Sequence, residues 1–321
     1  MRVLVTGAAG FAGSHLVELL LGRGDNVCGL VFPGGSVSNL SAAHRDPRLN
    51  LVEADLRDPE CVRAVVATVR PDCIYHLAAE SSVGRSLRDP RPAFLANTLG
   101  TLHVLEAVRL AGRPARVLTV GSAEVYGESA NQARKLRESD PLRPITPYGA
   151  SKAAAEIIAR RYAQEYGLIL VRVRPFAHTG PRHAPQFAFS NWARQLVEIQ
   201  SGRRPARLLV GNLDIERDLS DVRDVVRGYV QALAHGDVGA VYNVCAGRAY
   251  PLRQVLEILL DLTGLRVGLE VQPERLRGQD IPRLVGSAEA LWARTGWAAR
   301  IPLVDTLKDL LTFWRQAPPT L

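Results

Sequence analysis

Short runs of apolar, mostly β-branched residues alternate with longer amphipathic stretches through the first half of this 321-residue chain. The apolar runs predict six buried strands, at 2–7, 26–31, 49–55, 73–79, 116–122 and 168–175. Between them, apolar positions recur at helical spacing in four stretches, at 11–24, 59–71, 94–112 and 148–167. Strands that alternate with helices form a parallel sheet covered on both faces. The pattern therefore predicts a doubly wound α/β fold.

The pattern changes after residue 175 into shorter, mixed segments. Helical spacing continues near 188–200, 222–235, 251–263 and 302–314, and short strands are predicted near 207–210, 241–245 and 283–286. We therefore expect residues 1–175 to form a sheet domain and residues 176–321 a smaller mixed α/β lobe, with some of its chain returning to the first domain. The cleft between them is the expected ligand site.

Composition narrows the function classes. The chain is 47% hydrophobic and 22% charged, as in ordinary globular proteins, and its four cysteines lack a metal-like spacing, which predicts reduced thiols and no metal site. The net charge of +8 comes from arginines scattered among acidic residues, a distribution that argues against a nucleic-acid surface. No apolar run approaches the ~18–20 residues that span a bilayer. We expect no signal peptide, no membrane partner and a cytoplasmic location.

Three glycines follow the first predicted strand at the start of a helix: Gly7, Gly10 and Gly13. Glycines at this junction allow a tight turn and let backbone N–H groups approach a pyrophosphate. With Phe11 and Ala12 between them, they predict a dinucleotide site and a Rossmann-type sheet.

The end of the second strand bears on the choice of cofactor. Phe32 and Pro33 follow this strand, where NAD-preferring sites place an acid. No arginine stands there either, although Ser36, Ser38 and Asn39 offer hydrogen-bonding groups to a phosphate. NADP(H) is the favoured cofactor and NAD(H) the alternative. Asp55 and Leu56, at the end of the third strand, are predicted to hold the adenine.

A tyrosine and a lysine stand four residues apart at the start of the helix predicted at 148–167. Tyr148 and Lys152 share one helix face at this spacing, and an ammonium beside a phenol favours the phenolate and lowers its pKa. Tyr148 is therefore a candidate acid/base for interconversion of an alcohol and a ketone. Ser122 ends the preceding strand, and Glu124 follows it.

These motifs, together with the sequence HLAAESS at 76–82, resemble the extended short-chain dehydrogenase/reductase family that acts on nucleotide sugars. The resemblance implies that Ser122 binds the reacting oxygen, Tyr148 transfers a proton, and Lys152 binds the nicotinamide ribose and tunes the tyrosine. It implies cofactor contacts at Leu77, Ala78 and Ala79 and a substrate contact at Ser82. It also implies a homodimer, built by pairing the helices at 94–112 and 151–167 across a two-fold axis.

Two later segments, 210–224 and 276–287, resemble the GDP-mannose branch of that family. By this match Asn212 lies along the nucleotide, Arg217 and Arg277 bind the diphosphate, and Asp280 accepts from the nucleotide ribose. The alternative for each arginine is an ion pair with Asp218, Asp221 or Asp224. Ala177 replaces the asparagine usual in the family, Gly278 stands for its proline and Asp280 for its glutamate.

Glu124 bears on the reaction type. In a GDP-mannose 4,6-dehydratase a carboxylate at this position removes the C5 proton, and Glu124 supplies that carboxylate. The residue before it, Ala123, can neither donate nor accept a proton. A 4-keto reductase needs only a hydride from NADPH, the Tyr148 proton and the Ser122 hydrogen bond. The favoured function is reduction of the 4-keto group of a GDP-4-keto-6-deoxy-hexose to a GDP-rhamnose-type product. The alternatives are the 4,6-dehydratase, a nucleotide-sugar 4-epimerase and a cofactor-binding protein without turnover.

Overall fold

The computed structural model describes residues 1–131, 134–276 and 280–317. Its strands, in chain order, are β1 (Arg2–Thr6), β2 (Asn26–Val31), β3 (Leu49–Glu53), β4 (Cys73–His76), β5 (Arg116–Val120), β6 (Leu170–Pro175), β7 (Ala177–Thr179), β8 (Arg207–Val210), β9 (Glu216–Asp221), β10 (Val241–Val244), β11 (Ala249–Pro251), β12 (Gly268–Val271) and β13 (Arg283–Leu284). Its α-helices are α1 (Phe11–Gly22), α2 (Pro59–Val69), α3 (Val83–Arg88), α4 (Arg91–Ala93), α5 (Gly100–Leu110), α6 (Pro147–Tyr166), α7 (Ala188–Gln200), α8 (Val222–His235), α9 (Leu252–Thr263), α10 (Glu289–Thr295) and α11 (Leu303–Gln316).

Seven parallel strands form the main sheet, in the order β10-β6-β5-β4-β1-β2-β3. The order reverses at β1 and β4, and such a reversal is where doubly wound sheets bind ligands. The six strands predicted in the first half are all present. The seventh, β10, comes from far downstream and pairs with β6. The predicted α/β class with a Rossmann-type parallel sheet is confirmed.

Two smaller sheets are built from the second half of the chain. One has the order β11-β9-β13, with β7 also paired to β9, and the other pairs β12 with β8. The sequence pattern did not predict β7, β9, β11, β12, α3 or α10. β9 was missed because its sequence, ERDLSD, is that of a polar loop, yet five of its six residues are buried. Their charged groups are satisfied inside the protein, as described below.

The apolar cores lie on both faces of the main sheet and around the smaller sheets. One cluster packs α1 and α8 against the sheet around Leu16 and Val226, and another packs α2, α5 and α6 on the opposite face around Val66 and Val104. A third joins α7, α9 and α11 around Leu196. Over the described ranges, no helix is both long and apolar enough to cross a membrane.

Candidate active site

The loop between β1 and α1 needs its glycines for close backbone contact. Gly7 has φ +70°, and a Cβ there would lie 2.8 Å from the Ala78 Cα. A Cβ on Gly13 would lie 2.0 Å from the Gly7 carbonyl oxygen. Gly10 is the N-cap of α1, and within the described chain no side chain caps this end of the helix. The first N–H groups of α1 are therefore open to an anion, and a pyrophosphate is the usual one in this position.

Thr6, the last residue of β1, ties this glycine loop to the loop after β4. Its Oγ1 lies 2.8 Å from His76 Nδ1 and accepts from the Ala78 N–H at 3.1 Å. Burial, and secondarily the Lys152 charge, lowers the pKa of His76 to about 3, so this imidazole is neutral at pH 7. The predicted cofactor-binding run 77–79 therefore lies directly beside the glycine loop.

The carboxyl ends of β2 and β3 meet at Phe32 and Arg57. The Arg57 guanidinium lies over the exposed Phe32 ring, 5.5 Å from its centroid. Its Nη2 donates to Asp55 at 2.6 Å, and hydrogen bonds from Arg57 lower the pKa of that carboxyl. Leu56 packs into the core, and its carbonyl accepts from His103 Nδ1 at 2.7 Å. The sequence-based prediction considered an arginine only directly after β2. Arg57 follows β3, and it reaches Phe32 because neighbouring parallel strands end at the same edge of the sheet.

Ser122, Tyr148 and Lys152 come together between the end of β5 and the start of α6. The Thr146 hydroxyl accepts from the Gly149 N–H at 3.0 Å and so fixes the first turn of α6, as expected of an N-cap. The Ser122 hydroxyl lies beside the Tyr148 phenol and lowers its pKa. The Lys152 ammonium donates to the Val120 carbonyl at 2.8 Å. The structure thus places Ser122 beside Tyr148 and bonds Lys152 to the end of β5, two residues before Ser122.

The protonation of this group differs from the sequence-based prediction. Burial raises the pKa of Tyr148 to about 12, against the lowering effect of the Ser122 hydroxyl. Burial also lowers the pKa of Lys152 to about 8. The prediction that Lys152 lowers the tyrosine pKa was wrong, because the ammonium is directed at the Val120 carbonyl and desolvation of the phenol dominates. At pH 7 Tyr148 is a phenol, which can donate a proton.

Glu124 lies close to this phenol. Its backbone N–H donates to the Ser122 hydroxyl at 3.2 Å within a short 3₁₀ turn, and its side chain is partly exposed. The charges of Glu124 and Glu80 both raise the pKa of Tyr148, so two carboxylates act on this phenol.

Asn97 is a buried residue of the site that sequence reasoning missed. It lies in a π-helical turn, Phe94–Leu99, and helical turns of this type are frequent at functional sites. Its side chain accepts from the Glu80 N–H at 2.9 Å and donates to the Glu80 carbonyl at 3.1 Å and to Ser151 Oγ at 2.9 Å. It therefore joins the loop after β4 to α6. The spacing of apolar residues over 94–112 predicts an ordinary helix and does not indicate the π turn.

Of the predicted substrate residues, Arg217 lies on β9, and Asn212 and Asp280 lie in loops beside the smaller sheets. Asn212 Nδ2 donates to Asp280 at 3.4 Å, and Arg217 donates to the Ile281 carbonyl at 2.8 Å, so three predicted residues occur together. Arg277, with Gly278, lies outside the described residues. Ser82 caps α3 by accepting from the Arg85 N–H at 3.2 Å.

The three acids considered as alternative partners for these arginines have other bonds. Asp218 is fully buried and accepts from the backbone N–H groups of Ala246, Gly247 and Gly286. Desolvation raises its pKa to about 6. Asp221 pairs with Arg223 at 2.7 Å, and Asp224 pairs with Arg227. The polar sequence of β9 is therefore accommodated by hydrogen bonds to neighbouring loops.

Phe11 connects the cofactor loop to the segment after β7. Its ring stacks on His183, with centroids 4.3 Å apart, and on His178 at 5.7 Å. Nearby, Arg182 pairs with Glu18 of α1 at 2.7 Å. The Phe11 side chain is thus packed against the segment after β7. Ala177 is partly buried in β7.

Similarity to known proteins identifies the family. Residues 4–310 match the family model described as GDP-mannose 4,6 dehydratase. The chain belongs to this family. It is 33% identical over 315 residues to GDP-6-deoxy-D-mannose reductase from Pseudomonas aeruginosa, covering 98% of this chain and 97% of the relative. It is also 33% identical over 318 residues to a UDP-glucose 4-epimerase from Mycolicibacterium smegmatis, covering 98% and 99%.

Among solved structures, RMD from Pseudomonas aeruginosa complexed with NADPH superposes with a TM-score of 0.83 at 31% identity, covering 98% of this chain and 99% of that one. The resemblance to extended short-chain dehydrogenases acting on nucleotide sugars is confirmed, and this family member is an enzyme of that class. Within the described ranges, no cluster of three or more His, Cys, Asp or Glu side chains is placed to hold a metal ion.

Proposed function

We propose that this family member reduces the 4-keto group of a GDP-4-keto-6-deoxy-hexose with NADPH. The described residues fit a dinucleotide. A Cβ at Gly7 or Gly13 would collide with backbone atoms at 2.8 and 2.0 Å, and α1 presents N–H groups without a side-chain cap among the described residues. Gly7, Gly10, Phe11, Ala12 and Gly13 would hold the pyrophosphate through the backbone.

NADPH, when bound, supplies a hydride to the sugar C4. The protein must then bind the carbonyl oxygen and protonate it. Ser122 would donate a hydrogen bond to O4, and Tyr148 would deliver the proton. A phenol whose pKa burial raises to about 12 is in the correct protonation state for this step at pH 7. Lys152 would bind the nicotinamide ribose.

Ala123 is the observation that carries the choice of a reductase. Its methyl group is buried in an apolar cluster with Val125, Tyr126 and Phe176. The 4,6-dehydratases of the family have a second proton-transferring group beside the carboxylate. In this chain a packed methyl group stands at that position. The ketone reduction needs no group at this position.

Incubation with GDP-4-keto-6-deoxymannose and NADPH tests this proposal. We expect one NADPH oxidised per keto sugar and a product heavier by two mass units, with GDP-mannose unchanged in a parallel reaction. Conversion of GDP-mannose without net NADPH consumption would refute the reductase assignment.

A 4,6-dehydratase is the second candidate because of Glu124. Its carboxylate is partly exposed and close enough to Tyr148 to raise the pKa of that phenol. It is therefore in the right region to take a proton from the sugar C5.

We also infer a homodimer in the cytoplasm, organised as a cofactor domain over residues 1–175 and a substrate lobe over 176–321. Exposed apolar side chains on the π turn, α5 and α6 support the dimer, and they are Phe94, Leu95, Leu99, Leu110 and Ile157. Four free cysteines fit a reducing compartment.

A further inference from the structure

The turn after β2 presents Phe32 at the position where dinucleotide-binding proteins recognise the adenosine ribose. The Gly35 N–H donates to the Phe32 carbonyl at 2.8 Å, and Gly34 between them has φ +67°. With Pro33 at its second position, this is a type II turn, which requires positive φ at its third residue. The turn holds the Phe32 ring with 58% of its surface exposed.

Arg57 is fixed over this ring by two contacts. Its Nε and Nη2 donate to Asp55 at 2.6–2.9 Å, and its guanidinium carbon lies 5.5 Å from the Phe32 centroid. Among the described residues, none accepts from Nη1. The side chain remains 52% exposed. A preoriented guanidinium edge thus faces outward where the ribose 2′ position would lie.

We propose that Arg57, stacked on Phe32, binds the 2′-phosphate of NADPH and sets the preference for NADPH over NADH. This inference rests on the proposed use of a nicotinamide dinucleotide but does not depend on the sugar. A guanidinium offers five N–H donors in a fork that matches phosphate oxygens. Asp55 uses one edge and a phosphate would use the other. The 2′-hydroxyl of NADH is uncharged and gains little from this cation.

Arg48 provides a matched control at the other end of β3. Its backbone N–H, Nε and Nη2 donate to Asp46 at 2.9, 3.0 and 2.7 Å, the same arrangement that Arg57 makes with Asp55. Arg48 precedes β3, whereas Arg57 follows it, so the two lie at opposite ends of the strand. Replacing either removes one exposed charge and one local ion pair.

Calorimetric titration of the protein without sugar substrate gives a binding readout that is independent of turnover. We expect Arg57→Met to weaken NADPH binding about 10- to 100-fold, the scale of a lost charge-assisted hydrogen bond, and to leave NADH within about twofold. The same loss should appear for 2′,5′-ADP relative to 5′-AMP. Arg48→Met should change none of these affinities.

The inference is overturned if Arg57→Met weakens NADPH and NADH equally, since the side chain would then bind the adenine, or if it leaves NADPH binding unchanged. It is also overturned if Arg48→Met matches Arg57→Met, because a general charge effect would explain both. These titrations contain no sugar, so they test the role of Arg57 even if the proposed sugar substrate is not reduced. If the protein reduces the sugar equally well with NADH, the proposed role of Arg57 is refuted and the proposed reductase activity is not.

Discussion

The Lys152 ammonium donates to the Val120 carbonyl across 2.8 Å, so α6 is bonded to the end of the strand that leads to Ser122. Burial lowers the pKa of Lys152 to about 8, and the cation is therefore lost as pH rises through about 8. We expect kcat/KM for keto reduction to fall above that pH. Lys152→Arg should keep the charge and move this decline to higher pH, whereas a decline unchanged in Lys152→Arg would exclude Lys152 as its cause.

Tyr148 and Ser122 should contribute in different ways to the same step. Tyr148→Phe removes the proton donor and should lower kcat by about 10²–10⁴. Ser122→Ala removes one hydrogen bond to the carbonyl oxygen and should cost about 10²–10³. Steady-state kinetics with saturating NADPH measures both, and NADPH titration of each variant checks that the cofactor site is intact. Near wild-type turnover by Tyr148→Phe would contradict the assigned role.

Glu124 distinguishes the two candidate reactions. In a reductase the C5 proton is never removed, so Glu124→Gln should leave kcat within about tenfold. In a dehydratase the same change should be nearly as damaging as Tyr148→Phe. Comparison of both variants in one assay removes differences in substrate quality. A loss of about 10² or more in keto reduction would show that the carboxylate takes part.

Asn97 is expected to act by positioning the loop at Glu80 and the catalytic helix. Asn97→Ala would remove the side chain that pairs with the Glu80 N–H and carbonyl, and one of the two hydrogen bonds of the Ser151 hydroxyl, at a cost of about 1–3 kcal/mol in unfolding free energy. We expect kcat to fall more than KM rises. Thr98→Ala, which removes a single bond to the Ser151 carbonyl, is the control and should have a smaller effect on kcat.

The apolar side chains of the π turn and α6 should form the dimer interface. Leu95→Glu combined with Ile157→Glu places charges on two exposed apolar positions and should give monomers at micromolar concentration by sedimentation. Trp292 is also exposed, at 62%, but lies on α10, so Trp292→Glu should remain dimeric. A wild-type monomer would refute the interface.

The main sheet and much of the site could be predicted because the signals are local. Hydrophobic periodicity defines β1 to β6, and the residues of each motif lie within a few positions of one another, as Gly7 and Gly13 or Tyr148 and Lys152 do. The structure brings Ser122 to Tyr148 because strand ends and helix starts share one edge of the sheet.

The features that were missed depend on long-range contacts. β9 is polar in sequence and is buried only because loops after β10 and β13 bind Asp218. Arg57, after β3, reaches Phe32 at the end of the neighbouring strand β2. Asn97 lies in a π-helical turn and bonds there to Glu80 and Ser151. The raised pKa of Tyr148 follows from burial, which spacing alone does not reveal.

The most direct test is to follow the hydride. NADPH deuterated at the transferable C4 position of its nicotinamide ring is incubated with GDP-4-keto-6-deoxymannose, and the product is examined by NMR. The account predicts deuterium at C4 of the sugar, in a one-to-one ratio with oxidised cofactor. No transfer from the labelled cofactor, with solvent deuterium entering C5 of product formed from GDP-mannose in D₂O, would contradict it.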